Sequence, residues 1–293
     1  AAPDEAWREF RRVIIVQRGQ QTLSVDVQPD RTTDVFRPLA FGLDPTVPYA
    51  ALAFRRGTFG DLLAEGSARA AATLGPNAQA RLITVKGSEA PAHMPQAKRS
   101  LGLIYMVNPF GADHQSSEHD PYYEEGVGDF NLDRLKQIGL GSPQPAYSLT
   151  EEKVRFAYLT EVFYSMLDSV ELCQFVFGPT WTLYDPKDTL EMMKAVTGWD
   201  LTMDELMEVG RRRLDLFRVF NAREGLARNA DKLPKKFFKA LKGTGPTTGF
   251  ALTHEEVDSA ISTYYKLAGW TADGAPTRET LKKHDVEWAA EYL

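Results

Sequence analysis

The sequence predicts a mainly α fold with a short β-hairpin near its start, on three observations. Ser or Thr stands three residues ahead of Glu at Ser148, Thr202 and Thr253, each just before a run of apolar residues at helical spacing. Period-two apolar alternation is confined to residues 12–28. Apolar residues make up 43% of the 293 residues and charged ones 25%, the balance of a globular chain with a sizeable core. The length suits one large or two medium domains. The expected division is an extended segment at 1–36, whose origin the sequence leaves open, a helical and loop-rich domain at 37–147, and a helical domain at 148–293.

In chain order, Val13–Val16 is β-branched and Leu23–Val27 alternates, with Arg18-Gly-Gln-Gln21 as the turn of a hairpin. Pro38 follows a polar stretch and marks a break. Phe59 to Leu74 is Ala-rich, with Leu62, Leu63, Ala70 and Leu74 at helical spacing, and stops at Gly75-Pro76. Arg81 to Lys86 is a short strand candidate. Residues 87–147 are rich in Gly, Pro, Asn, Asp and His and read as a long loop region of the kind that lines sites. Ser148-Leu-Thr-Glu151 is expected to cap a helix running to Asp168. Thr202-Met-Asp-Glu205 opens a long helix through Phe220, and Thr253-His-Glu-Glu256 opens one that ends at Gly269.

Charge and composition exclude several function classes. A formal net charge of −6 argues against a general nucleic-acid or anionic-membrane binder, which needs a basic face. One cysteine excludes a disulfide framework and fits a reducing cytoplasm. No apolar run approaches the roughly 20 residues of a membrane span. The start, Ala1-Ala-Pro-Asp4, is not that of a signal peptide. It is expected to belong to a processed product, a fragment or part of something longer.

Cys173 is that one cysteine, in Asp168-Ser-Val-Glu-Leu-Cys173. A single thiol cannot hold a metal alone, since cluster iron takes four thiolates and structural zinc four ligands. Cys173 is therefore either an inert core residue or a ligand whose partners lie outside the chain. In Gly111-Ala-Asp-His114, Gly111 permits close backbone approach and His114 is a group that titrates near neutrality. His119 and two carboxylates, Glu118 and Asp120, follow. These residues form either a polar surface loop or a proton-transfer or metal site. Gly42-Leu43-Asp44 reads as a rigid turn whose acid caps the next helix or binds a ligand N–H. Arg223-Glu224-Gly225 reads as a helix end. Arg211–Arg213 and Lys235-Lys236 read as solvated faces.

Five stretches, in order, resemble the tungsten-dependent aldehyde:ferredoxin oxidoreductase family. They are Gly60–Gly66 with Lys86–His93, Asn108–His114, Asp168–Cys173, Ala195–Asp200 with Phe220–Gly225, and Tyr264–Trp270 through Thr277. The resemblance covers roughly residues 39–285 and implies helical domains like domains 2 and 3 of that family. It further implies two pyranopterins holding tungsten, or molybdenum in some relatives, beside a [4Fe-4S] cluster. Three cluster cysteines would come from an N-terminal domain or subunit and the fourth ligand would be Cys173. Asp168, with Leu172 beside it, would bind one pterin and Gly42-Leu43-Asp44 the other, and His114 would move the proton. Electrons would leave to ferredoxin or an electron-transfer subunit, and the implied reaction interconverts aldehydes and carboxylic acids. A reductive relative acting on an aromatic acyl thioester, of the benzoyl-CoA type, is the alternative. A non-catalytic helical module that has lost the cofactor, or a cofactor-free globular protein, is a further one. Phe163, Met166, Phe175 and Phe177 would line a pocket or be core. Two residues depart from the family pattern: Glu171 replaces a motif Gly, and Leu39 stands where the first corner has Asp.

Overall fold

A computed structural model describes the strands Ile14–Arg18 and Gln21–Val25, and residues 61–293 apart from 63, 181 and 182. Leu39 and the expected turn Gly42-Leu43-Asp44 lie outside the described residues. The chain separates into two compact units, 1–82 and 83–293.

In the first unit, β1 (Ile14–Arg18) pairs antiparallel with β2 (Gln21–Val25), with Arg18 opposite Gln21, as the alternation predicts. The helix expected over Phe59–Leu74 is interrupted at Gly66, which takes φ 84. It resumes as α1 (Ser67–Leu74) and stops at Gly75, φ 94, before α2 (Pro76–Gln79).

The second unit opens with a two-residue ladder, β3 (Thr84–Val85) against β4 (Ser88–Glu89). Lys86 and Gly87 join the two strands with positive φ, the conformation that matches hairpin twist. The stretch expected to be loop then departs from its pattern. It contains α3 (Arg99–Val107) and α4 (Asp129–Lys136). Every residue of α3 from Ser100 to Val107 is buried, so it has no polar stripe to give a helical period. Its start is capped from a distance: the Ser100 and Leu101 N–H groups donate to the Asp120 carboxylate at 2.9 and 3.1 Å. Lys153, fully buried, balances that charge at 3.2 Å.

α5 (Glu151–Ser169) forms, but its cap is Thr150 rather than Ser148. Thr150 Oγ1 accepts from the Lys153 N–H, while Ser148 Oγ donates back to the Pro145 carbonyl. A short turn, α6 (Gln174–Phe177), follows Cys173. α7 (Pro186–Thr197) carries an Asp185/Asp188 capping box, which a Ser/Thr-x-x-Glu pattern does not find. α8 (Met203–Arg223) and α9 (His254–Ala268) start at the expected boxes, and α9 stops at Gly269, φ 73. α10 (Arg278–Lys283) packs Leu281 with Val286 and Ala289 against Val219 of α8.

α5 is the axis of the unit, packed by α3, α8 and α9. Phe156, Val162, Phe163, Met166 and Leu167 of α5 are essentially inaccessible. Each such side chain contributes roughly 1.5–3 kcal/mol by leaving water. α5 and α8 meet backbone to backbone at Gly210, where a Cβ would lie 2.0 Å from the Val162 carbonyl oxygen. Ser165 Oγ seals the crossing by donating to the Gly210 carbonyl at 3.0 Å.

Candidate functional site

The C-terminal end of α5 determines the position of Asp168 and Cys173. The Leu172 N–H returns to the Leu167 carbonyl at 2.9 Å and the Glu171 N–H approaches the Asp168 carbonyl at 3.4 Å. This is a Schellman ending with Glu171 at the position that favours glycine. Glu171 adopts φ 58 there. Glu171 therefore holds a left-handed corner although it carries a Cβ. Leu172 is half-buried and packs onto the core. Cys173 is exposed and stands directly before α6. The inert-core reading of this thiol fails on that exposure.

Asp168 faces a cleft of about 370 Å³ lined also by Asn108, Asp113, Ser116, Glu161 and Arg213. Arg213 corrects one expectation, because it is only partly exposed and is held by neighbouring groups. It pairs with Asp168 Oδ2 at 3.0 Å, donates to Ser165 Oγ at 3.2 Å and lies over the Phe217 ring. Partial burial and the nearby Asp113 charge push the Asp168 carboxyl up, with Arg213 opposing them. Phe163 and Met166, candidate pocket residues, are core instead, while Phe175 is exposed and Phe177 stacks on Tyr184.

The Gly111–His114 loop is anchored as its sequence suggests. Gly111 has φ 115, and a Cβ there would lie 2.6 Å from the Val85 carbonyl oxygen. Asn221 of α8 holds the loop by donating to the Pro109 carbonyl at 2.9 Å. Asp113 accepts from the Gln115 N–H at 2.8 Å and from Ser116 Oγ at 2.6 Å. Asp113 and Ser116 therefore line the cleft, and His114 sits behind them. His114 Nε2 meets the Gln115 side-chain amide at 2.7 Å, and its Nδ1 is buried with no partner. Gln174 donates to Gln115 Oε1, so the thiol corner and the histidine loop are linked through two side chains.

His114 has two imidazole neighbours, His93 and His119, with ring centroids 5.1 and 6.0 Å away. His119 does not offer itself as a metal ligand. Its Nε2 donates to the His114 carbonyl at 2.9 Å and its Nδ1 faces Lys98 Nζ at 3.4 Å. Burial, then Lys98 and the other imidazoles, holds His93 down at about 4. Glu118 and Asp120 are not surface residues. Glu118 is buried and accepts from the Tyr164 hydroxyl at 3.0 Å and the Thr180 N–H at 3.2 Å.

Sequence reasoning missed Glu161 and Ser165. Both lie on α5 with Asp168 at spacings of four and three, a polar stripe along one face of the helix. That stripe was the available signal. It also missed a buried ion cluster in which Asp231 receives both Lys86, at 2.6 Å, and Arg218. Tyr265 donates to the same carboxylate.

The fold and the site together define a helical unit with a polar cleft at the end of α5 and an exposed thiol on the turn that follows it. A family model described as aldehyde ferredoxin oxidoreductase, domains 2 & 3, matches residues 48–286. The chain belongs to the aldehyde ferredoxin oxidoreductase family. It is 30% identical over 254 residues to the tungsten-containing aldehyde ferredoxin oxidoreductase of Pyrococcus horikoshii, covering 85% of this chain and 38% of that one. It is 30% identical over 232 residues to the protein of the same name from Pyrococcus furiosus, covering 78% and 34%. The chain thus spans little more than a third of the length of these curated relatives. Among solved structures, the active-site complex BamBC of benzoyl coenzyme A reductase shares the fold, with a TM-score of 0.56 at 20% identity over 81% of this chain and 38% of that one. No helix among the described residues is long and apolar enough to cross a membrane.

Proposed function

We propose that this chain is the helical C-terminal part of a tungstopterin oxidoreductase that interconverts aldehydes and carboxylic acids and passes electrons through a [4Fe-4S] cluster. The exposed Cys173 thiol, at a corner flanked by the Asp168 cleft, carries this reading. An outward-facing thiol is the donor a cluster needs as its fourth ligand. Three further cysteines would come from an N-terminal domain or subunit. Asp168 would accept N–H groups of one pterin, with Leu172 packed behind it. Gly42, Leu43 and Asp44 would hold the second.

The bound centre supplies the oxygen transfer and the redox chemistry. The chain's part is orientation and proton movement. His114, whose buried Nδ1 has no partner within the chain while Nε2 meets Gln115, would move a proton to or from the cleft from behind the Asp113–Ser116 wall. Electrons pass to ferredoxin or an electron-transfer subunit in the reducing cytoplasm.

The test is metal analysis of the anaerobically purified complex that contains this chain. Tungsten or molybdenum near one per chain, and iron near about four for one cubane cluster, is the expected result. Cys173→Ser should lower the iron and remove the cluster's paramagnetic signal. An intact complex lacking both metals would favour a scaffold that keeps the fold without the cofactor. The fold shared with BamBC makes reduction of an aromatic acyl thioester the second reading. Turnover of benzoyl-CoA with a low-potential donor, and none of aldehydes, would select it.

A further inference from the structure

The cleft contains a polar atom that nothing in the chain satisfies. Glu161 lies two turns before Asp168 on α5 and lines the same cleft. The residue is 1% exposed. Its Oε2 accepts from the Tyr264 hydroxyl of α9, and its Oε1 is buried without a partner. A buried carboxyl oxygen with no partner is costly unless something that enters the cleft completes it.

We propose that Glu161 is a further ligand-binding residue of this cleft, donating from Oε1–H to an acceptor atom of the planar nitrogen heterocycle whose N–H edge Asp168 receives. The proposal rests on the reading that Asp168 binds such a heterocycle. It adds a second contact to that reading. Arg213 is paired with Asp168 and Ser165, and Asn108 also lines the cleft, with its Oδ1 taken by the Phe110 N–H. A heterocycle edge that alternates donors and acceptors needs a donor as well, and a protonated Glu161 supplies one.

The surroundings favour that proton up to about pH 7. Burial raises the Glu161 carboxyl to about 7, and Asp113 in the Gly111 loop adds to the rise. Tyr264 from α9, Arg218 from α8 and Lys86 from the β3–β4 turn oppose it without cancelling it. Asp168, on the same helix, also faces the cleft. In the acid form one oxygen accepts from Tyr264 while the other donates, which matches the asymmetry of the two oxygens.

The test measures pterin content in the anaerobically purified complex, from the fluorescence of the released, oxidised cofactor. It is read after equilibration below and above the Glu161 midpoint of about 7. Wild-type retention should fall several-fold across that range. Glu161→Gln, whose amide donates from the same place at every pH, should stay flat. Glu161→Ala should be low throughout. If Glu161→Ala keeps the wild-type content while Asp168→Asn loses it, the proposal is overturned and the Asp168 reading stands. If both keep it, the heterocycle is not held in this cleft and both fall. Parallel pH profiles of wild type and Glu161→Gln also overturn the proposal. The Gln variant decides the matter should the Ala variant not fold.

Discussion

Gln174 donates its side-chain amide to the side-chain oxygen of Gln115. The residue after Cys173 is thereby tied to the residue after His114, across 59 positions of sequence. Both side chains are partly buried, and such a bond is worth about 1 kcal/mol net. Gln174→Leu and Gln115→Leu should each destabilise by about that amount. Their double-mutant cycle should show a coupling of about 0.5–1 kcal/mol in denaturant unfolding. Strict additivity would mean that the two loops are held independently.

Glu171 bears a side chain in a left-handed helix-ending position. For residues with a Cβ that conformation costs roughly 1–2 kcal/mol, part of which glycine gives back through its freer unfolded state. Glu171→Gly should therefore raise stability by about 0.5–1 kcal/mol, read as a higher denaturation midpoint at unchanged m-value. A drop would show that the Glu171 side chain makes contacts that outweigh the backbone cost.

At Gly210 the constraint is space rather than φ. A methyl group would meet the Val162 carbonyl oxygen at 2.0 Å and the Met166 amide nitrogen at 3.0 Å, both of them backbone atoms. Gly210→Ala should cost about 3 kcal/mol because the α5–α8 crossing has to open. Gly225, at φ 81 with nothing within 4 Å of an added methyl group, should cost only about 1 kcal/mol on the same change. Equal losses at the two positions would remove the close crossing as the explanation.

Asp231 is buried, which by itself raises its pKa, yet Arg218 and Lys86 outweigh that effect and hold it below the usual carboxylate value. A depressed folded pKa stabilises above the unfolded value near 3.8 and loses that stabilisation as pH falls through the folded one. Wild type should therefore lose stability only at strongly acid pH from this group. Asp231→Asn leaves two buried cations with no counter-charge and should cost about 3–5 kcal/mol at neutral pH. A small loss would indicate that Tyr265, beside Arg218, and the Met106 carbonyl, which accepts from Lys86, already suffice for them.

Glu161 has the opposite sign. Its folded pKa, about 7, lies above its ordinary 4.5. The associated stability is complete below 4.5 and is lost as pH rises through about 7, amounting to about 3 kcal/mol on the alkaline side. Glu161→Gln should flatten this part of the stability profile in thermal melts of cofactor-free protein. A variant as pH-sensitive as wild type in that window would place the titration elsewhere.

Local signals were legible where one segment carries its own cue. Thr202 and Thr253 cap as read, Gly269 stops α9 as read, and Gly111 is glycine for the close approach that its loop suggested. Readings failed where the partner is remote. α3 is capped by Asp120 twenty positions away and packs on all sides, so it shows neither a start signal nor a period. Arg213 looks like part of a basic surface run until α8 lies against α5 and brings it to Asp168. Cys173 and Asp168 were legible as a pair. That Asp113 and Ser116, rather than His114, form the cleft wall depends on how the loop turns after Gly111, which no spacing encodes.

Most helices leave one side on which replacements are nearly free. The stretch Ser100–Val107 leaves none, since all eight of its positions are enclosed. Drift there has to be matched by changes in the surrounding helices, so in descendants of this chain the segment should change through paired replacements rather than singly.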